Sequence, residues 1–269
     1  MTLYKFLLPI FITFGFLGCS TTTQSGAVGV KREQLMLISS KEMNTQAQKE
    51  YNKVLLKAQK EHKLNVDPKQ TKRIKEIAKK LIAQTPVFRK DALAWKWEAN
   101  LITSPELNAW CMPGGKIAFY TGIIEKLKLT DDEIAAIMGH EISHALREHS
   151  RERASQNAVT SGVINIGAAI LGVGRGVSSL AAQGANLAFL LPNSRAQESE
   201  ADYMGVELAA RAGYNPQAAI NVWKKMKKIS KNNPPEFLST HPSHDTRIEE
   251  LKAYVKVVMP LYKQAKQES

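Results

Sequence analysis

The chain has 269 residues, of which 43% are hydrophobic and 23% are charged, and its formal net charge is +12. This length allows one domain with a hydrophobic core, and the sequence contains no internal repeat. Basic proteins commonly bind nucleic acid or anionic lipid. The chain has no glycine-rich phosphate loop and no RNA-binding aromatic pattern, and it begins with a secretion signal, so nucleic acid is excluded as the predicted partner.

Residues 1–18 contain one charge, Lys5, followed by an apolar run. The run is too short to span a bilayer and is typical of a signal peptide. Residues 16–19 read F-L-G-C, which resembles a bacterial lipobox. We therefore predict that the signal peptide is removed, that Cys19 carries lipid, and that residues 19–35 tether the chain to the periplasmic face of the outer membrane.

The sequence has two cysteines. With lipid on Cys19, Cys111 has no partner, so we predict no disulfide even in an oxidising periplasm. Several acyl chains on one cysteine form a stable anchor, because each buried CH₂ contributes about 0.8 kcal/mol. We interpret Cys111 as a buried structural thiol, with a soft metal ligand as the alternative.

A single domain is predicted over residues 36–269, and its first half contains two helices followed by two strands. Residues 41–63 and 67–84 have helical patterns, the second beginning with an Asp-Pro pair. Residues 95–102 and 109–120 are rich in aromatic and β-branched residues and predict strands. A P-G-G sequence inside the second segment indicates a turn or bulge.

The next segment predicts an amphipathic helix over residues 131–153. Thr130 and Glu133 form a capping-box pattern at its start, and acidic residues in the first turn suit the helix dipole. Its apolar residues recur at helical spacing and form one stripe: Ile134, Ile137, Met138, Ile142, Ala145 and Leu146.

This helix carries the sequence H-E-x-x-H at residues 140–144. At about 100° per residue, His140 and His144 lie about 40° apart on the helix surface. Two imidazoles at this spacing can hold one zinc ion, and Glu141 between them can act as a general base toward a water molecule. His149 lies nearly opposite His140 on the same helix, so we interpret it as a core or surface histidine.

Residues 158–191 are rich in Ala, Gly, Val, Leu and Ile, with Arg175 as the only charge. We predict two helices joined near residues 172–176, which could form a mobile lid over the cleft. The alternative is a membrane-spanning segment, which the glycines and Arg175 disfavour.

A second helix supplies the third metal ligand. Ser194 and Gln197 form another capping-box pattern, after which Glu198 and Asp202 lie four residues apart on one face. We predict that Glu198 binds the metal and that Asp202 accepts the free ring N–H of a ligating histidine. Glu200 faces elsewhere and is the competing ligand if the helical register differs.

Two further helices are predicted, over residues 215–230 and 243–258. The expected fold class is therefore α+β and mostly helical, with a small antiparallel sheet beside the H-E-x-x-H helix. No pattern in the sequence predicts a second domain.

Four ordered segments resemble metallopeptidase family 48, which includes the CAAX prenyl proteases, HtpX-type heat-shock proteases, mitochondrial Oma-type proteases and periplasmic lipoprotein relatives. The resemblance covers roughly residues 72–252. It rests on H-E-I-S-H at residue 140, E-S-E-A-D at 198, N-A-W-C-M-P-G-G at 108 and S-T-H-P-S-H-D-T-R-I at 239. It implies a zincin-like, gluzincin fold with one zinc ion per chain.

The resemblance also implies roles for residues outside the two helices. Its P-G-G segment, with Gly114, Gly115 and Lys116, would bind an extended substrate beside an edge strand. His241 would lie near the zinc, where it could stabilise the oxyanion or occupy the open metal position in a latent state. Arg247 could serve the oxyanion or a substrate carboxylate. The alternatives are a capping role for the His-Pro-Ser turn and a surface ion pair for Arg247.

The predicted function is zinc-dependent endoproteolysis of misfolded or unassembled envelope proteins, with the outer-membrane protein assembly machinery as a further partner. The alternative is a zinc-stabilised periplasmic chaperone or assembly factor, which would need the fold but not Glu141. Two histidines and one glutamate also suit iron or manganese, so the sequence alone leaves the metal open.

Overall fold

The computed structural model of the chain describes residues 19–170, 192–229, 236–242 and 246–268. The predicted signal peptide at residues 1–18 lies outside these ranges. So do the predicted joint at 172–176 and the rest of the predicted lid after residue 170. No helix of the described ranges is long and apolar enough to cross a membrane.

Helices make up most of the described chain, as predicted. In chain order they are α1 (Ser40–Lys60), α2 (Pro68–Ile82), α3 (Thr121–Lys126), α4 (Asp131–Leu146), α5 (His149–Ile170), α6 (Arg195–Arg211), α7 (Gln217–Ile229), α8 (Glu236–Thr240) and α9 (Arg247–Gln267). The predicted capping boxes are present at the starts of α4 and α6. The last helix begins later than predicted and continues through Pro260.

The helix that carries H-E-x-x-H is shorter than predicted. It ends at Leu146 instead of residue 153, and Glu148 has a positive φ of 52° before the next helix begins at His149. The chain turns here because the Arg147 carbonyl accepts hydrogen bonds from the side chains of Gln34 and Thr22, at 2.7 and 3.1 Å. Contacts from a distant segment therefore outweigh the local helical pattern.

The main sheet has three strands, β3 (Glu98–Ile102), β4 (Ala109–Met112) and β5 (Lys116–Tyr120), in the order β3-β5-β4. Strands β4 and β5 form an antiparallel hairpin, but β3 pairs with β5 in parallel. The predicted antiparallel sheet is therefore mixed. The P-G-G turn, with φ of 78° at Gly114 and 81° at Gly115, folds β4 back along β5 and leaves the other side of β5 to β3.

Helices α4 and α6 pack against each other through two glycines. A Cβ atom on Gly139 would lie 2.8 Å from the carbonyl oxygen of Gly205, and one on Gly205 would lie 2.7 Å from the amide nitrogen of His140. Any side chain here would separate the helices. This close approach places the first turns of α6 beside the histidines of α4.

The segment predicted to be a tether packs against the domain. Its ends pair as two short strands, β1 (Cys19–Ser20) and β2 (Gln34–Leu35). Between them, Val28 and Val30 are buried in the main hydrophobic core. The Val28 amide also donates to the buried carboxylate of Glu207 at 3.1 Å. Apolar burial and this hydrogen bond explain why the segment is held on the domain.

Candidate metal centre

Four side chains from three parts of the chain converge at one point. His140 and His144 come from α4, Glu198 from the first turn of α6, and His241 from just after α8. Each offers one donor atom, and these atoms all lie within 4.8 Å of one another. The structure thus brings together the three predicted ligands and His241.

The donor atoms are closer than uncharged acceptors could be without a proton or cation between them. The Nε2 atoms of His140 and His144 are 3.0 Å apart, and Glu198 Oε1 lies 3.3 Å from His144 Nε2. The Nδ1 atom of His241 is 2.9 Å from Glu198 Oε1. Nitrogen and carboxylate donors in this number fit zinc, and also other divalent ions.

The carboxylate of Glu198 is prepared for a cation although it is completely buried. Burial alone would raise its pKa, but His241 and Arg247 hold it well below its usual range. Burial also lowers the pKa of His144 well below its usual value, which favours the neutral ring that binds metals. Both groups therefore have the protonation state that metal binding requires.

Asp202 occupies the supporting position predicted for it. Its Oδ1 lies 2.9 Å from His140 Nδ1. Since the other ring nitrogen faces the donor cluster, Nδ1 carries the proton and donates to Asp202, which fixes the tautomer of His140. Burial would lower the pKa of His140, but the hydrogen bonds to Asp202 and Glu198 outweigh it and raise the pKa to about 9.

Arg247 is buried among groups that the sequence did not indicate. It is 1% exposed, and its nitrogens bond to both carboxylates of α6: Nη1 to Glu198 Oε2 at 2.7 Å, and Nε and Nη2 to Asp202 at 2.6 and 2.8 Å. Its guanidinium also lies over the Trp223 ring, 3.5 Å from the centroid. The guanidinium therefore holds the carboxylates of Glu198 and Asp202 in place, and it is not a surface ion pair.

Glu141 is not part of the donor cluster, and it lines an adjacent cavity together with His144 and His241. Its Oε1 is buried without a hydrogen-bond partner in the described part of the chain, and the nearest ring nitrogen, His241 Nε2, is 3.4 Å away. Burial raises the pKa of Glu141. A carboxylate with one unpaired oxygen and a raised pKa is suited to accept a proton from a water molecule.

The cavity in front of Glu141 has a volume of about 240 Å³ and is bordered by β4. Trp110 and Met112 of that strand line it, together with Arg153 of α5. Because β4 is at the edge of the sheet, its outer backbone groups can pair with an extended peptide.

The residues predicted to bind substrate after β4 lie elsewhere. Gly114 and Gly115 form the turn, and Lys116 is 3% exposed and bonds to Glu98 at 2.7 Å and to the Lys96 carbonyl. None of the three lines the cavity. The lysine therefore stabilises the start of β5.

Cys111 also lines the cavity but lies outside the donor cluster. It is buried, and burial raises the pKa of its thiol. This agrees with the interpretation as a structural thiol.

Two residues considered in the sequence lie in a second buried cluster behind the metal donors. Glu200 is not a metal donor, because it bonds to Arg147, Arg32 and His149. His149 is not a donor either, but its ring contacts His144. No pattern in the sequence indicated Arg32, which lies 168 positions from Glu200.

The model of Peptidase family M48 matches residues 68–255 of this chain. The chain belongs to peptidase family M48. This confirms the resemblance found in the sequence, and the match includes α4, α6 and β3 to β5.

The chain is similar to curated proteins of two names, the OMA1 metalloendopeptidases and the β-barrel assembly-enhancing proteases. The mitochondrial metalloendopeptidase OMA1 of Arabidopsis thaliana is 36% identical over 151 residues, covering 56% of this chain and 30% of that protein. OMA1 of Schizosaccharomyces pombe is 34% identical, covering 60% of this chain and 47% of that protein. The β-barrel assembly-enhancing protease of Escherichia coli O157:H7 is 24% identical, covering 75% and 42%. The chain thus spans less than half the length of these M48 proteins.

Proposed function

We propose that this chain is a zinc-dependent metalloendopeptidase of the bacterial envelope that hydrolyses misfolded or unassembled envelope proteins. The observation that carries the proposal is the convergence of His140, His144 and Glu198 beside a general base, Glu141, that faces a cavity with an edge strand. Membership of the M48 family supports the same chemistry.

Different residues of the chain carry out different parts of the reaction. Zinc held by the two histidines and Glu198 would polarise the scissile carbonyl and lower the pKa of a nearby water molecule. Strand β4 orients the peptide by main-chain hydrogen bonds. Glu141 takes the proton from the attacking water at Oε1 and delivers it to the leaving amine. Asp202 and Arg247 keep the ligands in place.

Metal removal tests the proposal directly. Stripping the purified protein with a chelator is expected to reduce casein or peptide hydrolysis to background, and stoichiometric zinc is expected to restore it. Unchanged hydrolysis by the metal-free protein would contradict the mechanism. Restoration by manganese or iron but not by zinc would retain the protease and correct the metal.

His241 is proposed to close the metal site in a latent state. Its Nδ1 lies 3.2 Å from His140 Nε2 and within the same cluster as the three ligands, so it can occupy the position that substrate or water needs. The ring also stacks on Phe237, at 4.4 Å between centroids, which holds it there.

Replacing His241 with alanine is therefore expected to raise the basal rate of peptide hydrolysis. If the closed arrangement is favoured by about 1.4 kcal/mol, the increase is about tenfold. Initial rates on a fluorogenic peptide measure the increase. The matched control is His62→Ala, which replaces an exposed histidine that is distant from His241 in the sequence. A decrease in kcat would instead assign His241 to the oxyanion.

The proposed location follows from the sequence of the N-terminus and from the names of bacterial relatives. The relatives from Escherichia coli O157:H7 and Yersinia pestis are named β-barrel assembly-enhancing proteases, which supports envelope substrates and contact with the outer-membrane assembly machinery. A lipid on Cys19 would hold the domain close to the membrane, because Cys19 pairs with Leu35 in the two-stranded sheet formed by β1 and β2.

A Cys19→Ser variant is expected to leave the membrane fraction and to lose incorporation of labelled fatty acid. Fractionation of cells that express the full chain measures both. Membrane retention by the variant, without label in either protein, would contradict the anchor.

A further inference from the structure

The two zinc-binding histidines are supported in different ways. His140 donates directly to Asp202. The Nδ1 atom of His144 instead lies 2.7 Å from His149 Nδ1. The far nitrogen of His149, Nε2, lies 2.9 Å from Glu200 Oε2. Two rings and one carboxylate thus form a chain that leads away from the metal donors.

The contacts determine where the protons lie. His144 directs Nε2 at His140 and Glu198, so its proton is on Nδ1 and it donates to His149. His149 must accept at Nδ1, and therefore carries its own proton on Nε2, which donates to Glu200. His149 is 0% exposed, and these two contacts use both of its ring nitrogens.

Glu200 is held as an anion at the end of this chain. Arg147 Nη2 bonds to its Oε1 at 3.1 Å, and Arg32 bonds through Nε at 2.8 Å and through Nη2 at 3.0 Å. An ionised carboxylate can only accept, so it fixes the tautomer of His149.

The local fold is built to make this contact. The left-handed turn at Glu148 ends α4 and begins α5. As a result the His149 ring lies edge-on to that of His144, with centroids 4.8 Å apart and planes at 70°. On an uninterrupted helix the two residues would be five positions apart and about 500° around the axis, facing away from each other.

We infer that His149 and Glu200 are positioning residues of the metal centre, which hold His144 in the tautomer and orientation that direct Nε2 toward the metal. Neither residue offers a donor atom to the cluster, and both act through His144. The inference rests on the metal site of the proposed function. It goes beyond that proposal by adding a second, relayed support to the direct one at Asp202.

Zinc affinity of the purified full chain, measured by competition with a chromophoric chelator, tests the inference. His149→Phe removes the acceptor for His144 while filling the space, and we expect it to weaken zinc binding by about 10- to 100-fold. His149→Asn retains an acceptor, because the asparagine Oδ1 occupies the same place next to Cγ as the histidine Nδ1. We therefore expect near-wild-type zinc affinity. His149→Gln moves the amide toward Glu200, and we expect a loss like that of phenylalanine.

The visible spectrum of the cobalt-substituted protein provides a second readout that a fold defect alone would not give. The bands of His149→Phe and His149→Gln are expected to shift, and those of His149→Asn are not. His62→Asn, at an exposed histidine with positive φ, is the matched control. Because Glu200 acts through His149, adding Glu200→Gln to His149→Phe is expected to cause no further loss of affinity.

Three outcomes separate the possibilities. Equal affinities of His149→Asn and His149→Gln would overturn the inference, even if His149→Phe fails to fold. Wild-type affinity of all three variants would overturn it as well. Absence of tight zinc binding by the wild-type chain would refute both the proposed metal site and the role of His149 and Glu200. If the wild-type chain binds zinc tightly, a negative result with the variants refutes only the role of His149 and Glu200.

Discussion

Replacing Glu141 with glutamine is expected to lower peptide hydrolysis by about 10²- to 10⁴-fold, the usual contribution of a general acid–base group. The amide has nearly the same shape but cannot take a proton from water. Glu141 does not belong to the donor cluster, so the zinc content is expected to remain at one per chain. Initial rates on casein or a fluorogenic peptide, with metal analysis of the same sample, measure both quantities.

Glu125→Gln is the matched control, because it makes the same chemical change at an exposed position on α3. It is expected to retain the wild-type rate. A Glu141→Gln protein that is fully loaded with zinc and hydrolyses peptides at the wild-type rate would remove Glu141 from the mechanism.

The same variant separates the protease from the rival function. A chaperone or assembly factor needs the folded, metal-loaded domain but no proton acceptor. If the Glu141→Gln protein restores outer-membrane protein assembly in cells that lack the chain, the assembly role is independent of proteolysis. If it does not, while the wild type does, proteolysis is the required activity.

The sequence predicted those parts of the site that depend on local spacing. His140 and His144 are one helical turn apart, and the capping boxes at Thr130 and Ser194 set the starts of both helices. Glu198 and Asp202 then follow at a four-residue spacing on one face. Such features require only helix geometry, so they can be recognised without knowledge of the tertiary fold.

Other parts depend on contacts between distant segments. The helix break before His149 is stabilised by hydrogen bonds from Gln34 and Thr22 to the Arg147 carbonyl, and no local pattern indicates them. The parallel pairing of β3 with β5 depends on which side of β5 the hairpin occupies. Arg32 looked like part of a polar tether, although it bonds to the buried acids Glu152 and Glu200.

Arg247 illustrates how burial changes the function of a recognised residue. Its position in the motif was predicted, but the sequence did not indicate that the guanidinium would lie among Glu198, Asp202 and the Trp223 ring with 1% exposure. Two buried carboxylates so close together repel each other unless a cation lies between them. The arginine therefore makes this pair of acids compatible with a folded core.

Replacing Arg247 with methionine is accordingly expected to lower the free energy of unfolding by about 3–5 kcal/mol, since removal of one partner leaves buried charges uncompensated. Zinc affinity is expected to fall as well, because Glu198 and Asp202 lose the group that holds them. Chemical denaturation of the metal-free protein and chelator competition measure the two effects. Arg73→Met is the matched control, since Arg73 pairs with Asp131 at the surface and its loss is expected to cost at most about 1 kcal/mol.

The two roles considered for Arg247 predict opposite results for this variant. An arginine that only stabilises the oxyanion would leave stability and zinc affinity unchanged and lower kcat. An arginine that positions the ligands would lower both, and Arg247→Lys would recover only part of the loss, because an ammonium cannot bond to Glu198 and Asp202 with the same planar fork. A stable Arg247→Met protein with wild-type zinc affinity would therefore contradict the positioning role, whatever its activity.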